Sequence, residues 1–408
     1  MRIGVLTSGG DCAGLNAVIL AVVRRAVLGY GWDVVGIRQG THGLMQDPPQ
    51  AIDLNDQINN DGMLRLGGTI LGTVNKGDPF HYPMADGSFA DRSNEVIEGY
   101  RKLGLDALIG IGGDGSMAIL HRLAKMGGIN LVGIPKTVDN DLAQTEYSIG
   151  FTTAVNVATD ALDRLQPTAA SHDRIMILEV MGRDAGHIAL FAGVAGGADV
   201  ILIPEMDYDL DELTQHCLNI RKSGRNHALV IVAEAVKRDD GSAVTVGDDG
   251  QKIRYGGVGH WLADELGART GWETRVTVLG HVQRGGTPSP RDRVIASAFG
   301  VHAVDLIAQQ KFDRVCAWQQ RKVRWKMLSL GHALLILQAR WSRPQRGLVP
   351  ILGIRPKSPE QRKQSDHKII QAGWEWIRKK SGPLRLRCMV VTAWRSCVLI
   401  FRNGATLM

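Results

Sequence analysis

Short, unbroken apolar runs recur along the first 320 residues, and the runs that matter most end in a glycine or polar cluster. Ile3–Thr7 leads into Ser8-Gly9-Gly10-Asp11, with a helical pattern from Leu15 to Leu28 behind it. Asp33–Ile37 comes next. Asp106–Ile111 ends in Gly112-Gly113-Asp114-Gly115 ahead of a helix over Ser116–Met126. Asn130–Ile134 ends at Pro135-Lys136-Thr137-Val138-Asp139-Asn140-Asp141. Arg174–Val180, Val200–Ile203, Ala228–Ala233 and Arg275–Leu279 continue the series, each followed by room for a helix. Strands that are apolar throughout are buried on both faces, so the alternation predicts an α/β chain of mostly parallel sheets covered by helices. Ligands of such sheets sit at the C-terminal ends of the strands, where these clusters fall.

At 408 residues, with 44% hydrophobic and 22% charged residues, the chain can build two or three domains and is not disordered as a whole. Its net charge of +7 is unevenly spread. Residues 321–408 hold 19 Lys and Arg against Glu360, Asp366 and Glu375, a net +16 that leaves −9 on residues 1–320. The basic character therefore says nothing about what the first part binds. No run approaches the ~20 apolar residues of a membrane helix, and the N-terminus lacks a signal-peptide layout. Five scattered cysteines with no CxxC pair fit a reducing cytoplasm better than a disulfide scaffold or a zinc site.

Three loops carry a phosphate-binding pattern: Gly9-Gly10-Asp11, Gly67-Gly68-Thr69 and Gly112-Gly113-Asp114-Gly115-Ser116. Glycines let backbone amides approach a phosphate, and a following helix N-terminus adds partial positive charge. One such loop alone reads as a tight turn. Three, two of them with an aspartate, do not. Gly110-Ile111-Gly112-Gly113-Asp114-Gly115 also fits the dinucleotide fingerprint. A bare carboxylate in that turn would repel a pyrophosphate unless a divalent cation bridged them, which favours Mg²⁺–nucleotide over a nicotinamide cofactor. Thr137-Val138-Asp139-Asn140-Asp141 could converge on a substrate hydroxyl with an aspartate accepting its proton, although a lone Asp-Asn-Asp is more simply a helix-capping turn. Arg174, Arg183, Arg275, His281 and Arg284 sit at strand ends, where forked donors can grip a sugar phosphate.

Together these segments resemble the phosphofructokinase A family across residues 1–320. LTSGGDCAGLNA, GGTILGT, IGGDGS, PKTVDNDL, SHDRIMILEVMGRDAGHIAL, VILIPE, IVAEAV and ETRVTVLGHVQRGG occur in family order. The resemblance implies two Rossmann-like three-layer α/β/α domains with the active site in the cleft between them. Residues 1–150, completed by part of 285–320, would bind the donor nucleotide, and 151–284 would bind fructose 6-phosphate. It implies a cytoplasmic, glycolytic, Mg²⁺-dependent transfer of the γ-phosphoryl group of ATP to the 1-hydroxyl of fructose 6-phosphate. Asp139 would be the general base, with Thr137 and Asp141 beside it and Asp114 organising Mg²⁺. Gly10, Gly113, Gly115 and Ser116, with Asn75 and Lys76, would hold the nucleotide. Val138, Met181, Gly182, Glu234, His281, Val282, Gln283 and Arg284 resemble sugar-phosphate contacts, and Arg183 a stabiliser of the transferring group. Arg174 and Arg275 would reach a neighbouring subunit's site in a homotetramer or dimer. No membrane or nucleic-acid partner is expected.

Gly115 and Lys136 set the donor. Pyrophosphate-using relatives carry Asp and Lys at these positions; here Gly115 leaves the α-phosphate space of ATP open, so ATP is expected, with pyrophosphate as the alternative. NAD kinases and diacylglycerol kinases share GGDG but lack the GHVQRGG segment. Several positions depart from the family. Ala13 replaces a proline. Thr152 interrupts a usual Gly-Phe-Asp-Thr, where it could cap a helix. Asn75-Lys76 replaces an arginine near the nucleotide. Leu20 replaces an effector-site arginine while Arg24 matches its partner, which argues against nucleotide-diphosphate activation. Beyond about Val323 the resemblance stops. The Trp- and Arg-rich remainder, 321–408, reads as an altered frame or degenerate terminus in preference to a polyanion-binding appendage, which leaves an inactive or regulatory homologue as a further alternative.

Overall fold

A computed structural model describes residues 1–75, 77–248, 253–320 and 322–327. Two sheets organise them. The first is built from β1 (Arg2–Thr7), β2 (Asp33–Ile37), β3 (Ala51–Asp53), β4 (Ala107–Gly112) and β5 (Leu131–Thr137). The second holds β6 (Arg174–Val180), β7 (Val200–Leu202), β8 (Ala228–Ala233) and β9 (Glu273–Val278). The chain then returns to the first sheet with β10 (Arg314–Gln319) and β11 (Lys322–Met327). The first sheet runs β11-β10-β5-β4-β1-β2-β3, with Ile149–Gly150 also pairing with β5, and the second runs β7-β8-β6-β9. All pairs are parallel except the outer ones of the first sheet, β2–β3 and β10–β11.

The expected parallel α/β architecture is present, and its eight apolar runs are eight of these strands. Register places Leu6 beside Gly110 and Ile111 beside Ile134, so the ends of β1, β4 and β5 open onto one edge. The chain leaves β1 toward β2 on one side and returns to β4 on the other. Their C-terminal ends therefore flank the switch point at which open α/β sheets bind ligands. Just past the sequence boundary at residue 321, Lys322–Met327 pairs antiparallel with β10. Residues 328–408 lie outside the described residues, as does Lys76.

Helices α1 (Leu15–Tyr30), α2 (Ser93–Lys102) and α3 (Asp114–Gly127) belong to the first part of the chain. α4 (Phe151–Ser171), α5 (His187–Ala195), α6 (Leu210–Lys222) and α7 (Val258–Thr270) alternate with the second sheet, and α8 (Pro290–Ala308) leads back. α1 is apolar on most of its surface because it lies between the sheet and α8. Ten of its residues from Leu15 to Ala26 are buried. The approach depends on Gly300, where an added Cβ would lie 2.7 Å from the Ala21 side chain and 2.8 Å from the Val18 carbonyl. Gly300→Val should therefore part the two helices and cost about 1–3 kcal/mol of stability, read as a lower urea midpoint at unchanged m-value. One continuous apolar core joins Ile3, Ile109 and Ile134 of the first sheet to Ile175, Ile177 and Val230 of the second. Among the described residues, no helix is long and apolar enough to cross a membrane.

Candidate active site

At the end of β1 the chain turns through Gly9, whose φ of 80° suits glycine. The turn is tied on two sides. Ser8 N–H donates to the Ile111 carbonyl at 2.9 Å, and Thr73 Oγ1 donates to the Gly9 carbonyl at 2.6 Å. The Gly67-Gly68-Thr69 loop is drawn in by Asn16, a fully buried amide on α1. Its Nδ2 donates to the carbonyls of Leu66, Gly67 and Gly68 at 3.1 Å each, and its Oδ1 accepts from Ile70 N–H at 2.8 Å. Gly67 in turn meets the loop after β9 so closely that a Cβ would lie 2.4 Å from the Gly286 carbonyl. Sequence reasoning missed Asn16, although an asparagine inside an otherwise apolar helix was the available signal.

β4 ends at Gly112, and α3 begins at Asp114 with Gly113 as its N-cap, two residues earlier than expected. Asp114, Gly115 and Ser116 thus form a helical first turn whose free amides favour anions. A Cβ on Gly115 would meet nothing within 4 Å, while Ser116 Oγ sits over Gly9. Facing this turn, the segment after β5 is braced by Ser148, whose Oγ donates to the Thr137 carbonyl at 2.6 Å and whose N–H donates to Asn140 Oδ1 at 2.8 Å. Asn140 takes the left-handed φ of 53° that lets Asp139 and Asp141 turn back toward the loops. Thr137 Oγ1 accepts from Asp139 N–H at 3.1 Å.

The carboxylates gathered here disfavour their own charge. Burial pushes Asp139 up to about 7, with the neighbouring charges of Asp141 and Glu234 adding to it and Arg284 opposing. Asp141 is raised by burial and by the nearby Asp114 charge, and its Oδ1 is buried with no partner among the described residues. Glu234, following β8, is raised by burial while the amides of Arg183 and Gly182 hold it down. Lys136, 4% exposed, is lowered by burial, and its ammonium donates to the Gly10 carbonyl beneath the first loop.

From the second sheet, β6 leads into Met181-Gly182-Arg183, and Glu234 Oε1 accepts from the amides of Gly182 at 3.3 Å and Arg183 at 2.9 Å. β9 leads into a short 3₁₀ turn, Gly280–Arg284. Arg284 crosses to the first loop, where a Cβ on Gly10 would lie 3.0 Å from its guanidinium. Gln283, read as a sugar contact, is fully buried, and its Oε1 accepts from Met181 N–H at 2.7 Å. It braces the loop that carries Arg183. His281 and Val282 are exposed on the same turn.

The structure does not bring every candidate to this cleft. Arg174 opens β6, about 20 Å of extended chain from Met181. It pairs with Glu273 at 2.8 Å, and Arg275 pairs with the same carboxylate. Both lie on the β6–β9 edge of the second sheet. Thr152 does not cap α4: the cap is Gly150, and the Thr152 hydroxyl is buried without a partner among the described residues. The capping is done by Asp292 at the start of α8, which accepts from the amides of Gly150 at 3.2 Å and Thr153 at 2.7 Å. Arg24 is occupied by Asp61 and the Ile58 carbonyl. Asn75 is exposed just past the Thr73–Gly9 tie.

The sequence profile described as Phosphofructokinase matches residues 2–307. The chain belongs to the phosphofructokinase family. It is 64% identical over 323 residues to "ATP-dependent 6-phosphofructokinase 1" of a Nostoc species, covering 79% of this chain and 89% of that one. A relative of the same name from a Synechocystis species is 60% identical over 321 residues, with the same shares covered. Among solved structures, phosphofructokinase from Saccharomyces cerevisiae superposes with a TM-score of 0.66 at 31% identity, covering 80% of this chain and 44% of that one. The chain thus spans less than half the length of that yeast phosphofructokinase. A pyrophosphate-dependent phosphofructokinase from Marinobacter aquaeolei matches with a TM-score of 0.65 at 23% identity, over 81% of this chain and 82% of that one, a likeness of fold alone. The phosphofructokinase match ends within α8, before β10 and β11.

Proposed function

We propose that the chain is an ATP-dependent 6-phosphofructokinase, a glycolytic kinase that moves the γ-phosphoryl group of ATP to the 1-hydroxyl of fructose 6-phosphate. The observation that carries this reading is the raised carboxyl of Asp139, which lies among Asp141 of the first sheet's loops and Glu234 and Arg284 from the second. A base with an apparent pKa near neutrality can take a hydroxyl proton at the moment of attack. In the proposed step Asp139 accepts the proton of the 1-hydroxyl. That oxygen bonds to the γ-phosphorus, and the bond from the γ-phosphorus to the β–γ bridging oxygen breaks, releasing ADP. Gly10, Gly113, Gly115 and Ser116 would hold the donor phosphates through backbone and hydroxyl donors. Arg183 would face the transferring group, and Met181, Gly182, Glu234, His281 and Arg284 the sugar phosphate.

Mg²⁺ fits this site. Asp114 and Asp141 offer hard carboxylate oxygens, one of them the unpartnered Oδ1 of Asp141. Mg²⁺ is usually held by one or two carboxylates together with substrate phosphates. When bound, the ion would neutralise charge on the donor phosphates.

ATP is favoured over pyrophosphate because Gly115 leaves open space and because the relatives at 64% and 60% identity carry ATP in their names. The proposed division assigns 1–150, with part of 285–320, to the donor and 151–284 to the sugar phosphate. Arg174 and Arg275, lying away from the chain's own cleft, support a homo-oligomer in which they serve a neighbour. A cytoplasmic location suits the buried free thiols Cys12, Cys217 and Cys316. The test is a coupled assay of the full chain with fructose 6-phosphate and either ATP or pyrophosphate. ATP-dependent turnover should dominate. A preference for pyrophosphate would overturn the donor, and silence with both would favour an inactive homologue.

A further inference from the structure

Arg183 stands in a backbone conformation that side-chain-bearing residues seldom adopt, with φ 49°, after Gly182 at φ 153°. Glu234 fixes the peptide there by accepting both amides, but it leaves the direction of the guanidinium open. What faces the guanidinium is Asp184, with Arg183 Nε and Asp184 Oδ2 3.6 Å apart and both side chains more than half exposed. An exposed pair at that distance fixes little by itself. Asp184 has a second partner, however: Tyr255 donates its phenol to Asp184 Oδ1 at 2.7 Å, a charge-assisted bond.

Tyr255 is a fixed post. It ends the strand Ile253–Tyr255, paired antiparallel with Thr245–Asp248 through Thr245. Two residues later Gly257 N–H donates to Glu179 at 3.0 Å, and Gly259 N–H donates to Glu179 Oε2 at 2.8 Å. Glu179 is 2% exposed and lies on β6, the strand that leads into Arg183. The strand that ends at Tyr255 is therefore clamped, through Gly257 and Gly259, to the strand whose following turn it steadies. Arg183 also acts on Asp141, so this relay ends among the cleft carboxylates.

We propose that Tyr255 and Asp184 are positioning residues for Arg183: the phenol fixes the carboxylate, and the carboxylate aims the guanidinium at the transferring phosphoryl group. This rests on the reading of Arg183 given above. The Tyr255 hydroxyl is itself raised by its hydrogen bond to Asp184, as expected of a phenol that donates to a carboxylate.

The test compares the full chain with Tyr255→Phe, Asp184→Asn, Arg183→Ala and the Tyr255→Phe/Arg183→Ala double variant. Steady-state kinetics are measured together with the rate at which phenylglyoxal labels Arg183, followed by peptide mass. Tyr255→Phe should lower kcat by about 3- to 10-fold with KM for ATP unchanged, and should speed labelling of Arg183 about 2-fold or more. Asp184→Asn should do the same while keeping the phenol, so it serves if Tyr255→Phe folds poorly. In the Arg183→Ala background the tyrosine change should cost nothing further, because its only route to the chemistry is gone. Equal losses in both backgrounds, or unchanged labelling of Arg183, would overturn the proposal. A parent chain without kinase activity would overturn the functional reading instead, and the labelling rates would still decide this one.

Discussion

Asp139→Asn is expected to lower turnover with fructose 6-phosphate by about 10²-fold or more, with substrate binding nearly intact, because the amide keeps the shape of the side chain but cannot take the proton. The same variant should be more stable than the parent at pH 8. Burial raises the Asp139 carboxyl from its ordinary 3.8 to about 7, so between those values the folded chain holds a proton that the unfolded chain has lost. Its contribution to stability therefore falls as pH rises through that window, and stays lowered above it. Asparagine removes this dependence. Melting temperatures of the two proteins should converge near pH 4 and separate by pH 8, with the variant higher. For the parent, the acid limb of kcat/KM should lie near pH 7. A limb near pH 4, or a variant that turns over normally, would take Asp139 out of the role of base.

Gly115→Asp should reduce kcat/KM for ATP by about 10²-fold. A Cβ at this position meets nothing within 4 Å, so the new side chain can be accommodated without disturbing α3. Its effect is then electrostatic. A second carboxylate in the first turn of α3 would face the donor phosphates at a few ångströms, where like charges repel by about 3–4 kcal/mol at an effective dielectric of ~20. Pyrophosphate, which needs no α-phosphate space, should lose less. The ratio of kcat/KM for the two donors, measured side by side, separates this from general damage, which would lower both alike.

Some of this was legible in the sequence and some could not be. The eight apolar strands could be placed to within three residues, because burial on both faces makes a strand apolar throughout. The edge strands β3 and β11 could not. Lys322-Val323-Arg324-Trp325-Lys326-Met327 alternates charged and apolar residues, which set against its basic surroundings reads as irregular chain. Gly10, Asp114 and Thr137–Asp141 were findable because strand ends collect functional groups in one place. Asn16, Asp292 and Gln283 were harder, since each is defined by partners 50 to 142 residues away in the chain. Gln283 was noticed for its neighbours His281 and Arg284, but its work is done on the backbone of Met181.

The order in which the first sheet is assembled has a consequence for synthesis. Its inner strands end at Thr137, yet β10, which pairs with β5 through Arg314–Val132 and Val315–Gly133, emerges only after the whole second sheet has been made. At about 5–20 residues per second, the intervening stretch of roughly 180 residues occupies the ribosome for about 10–35 s. Throughout that interval the Val132–Gly133 stretch of β5 waits for its β10 partner, Ile149–Gly150 pairing only with Lys136 and Thr137, and α8 has yet to cover α1. The nascent chain thus carries an open, apolar strand edge for far longer than a hairpin or helix takes to form, the kind of edge that pairs with other chains. Expression at lowered temperature or with added chaperone should raise the soluble yield of this chain more than that of a protein whose sheet closes in chain order.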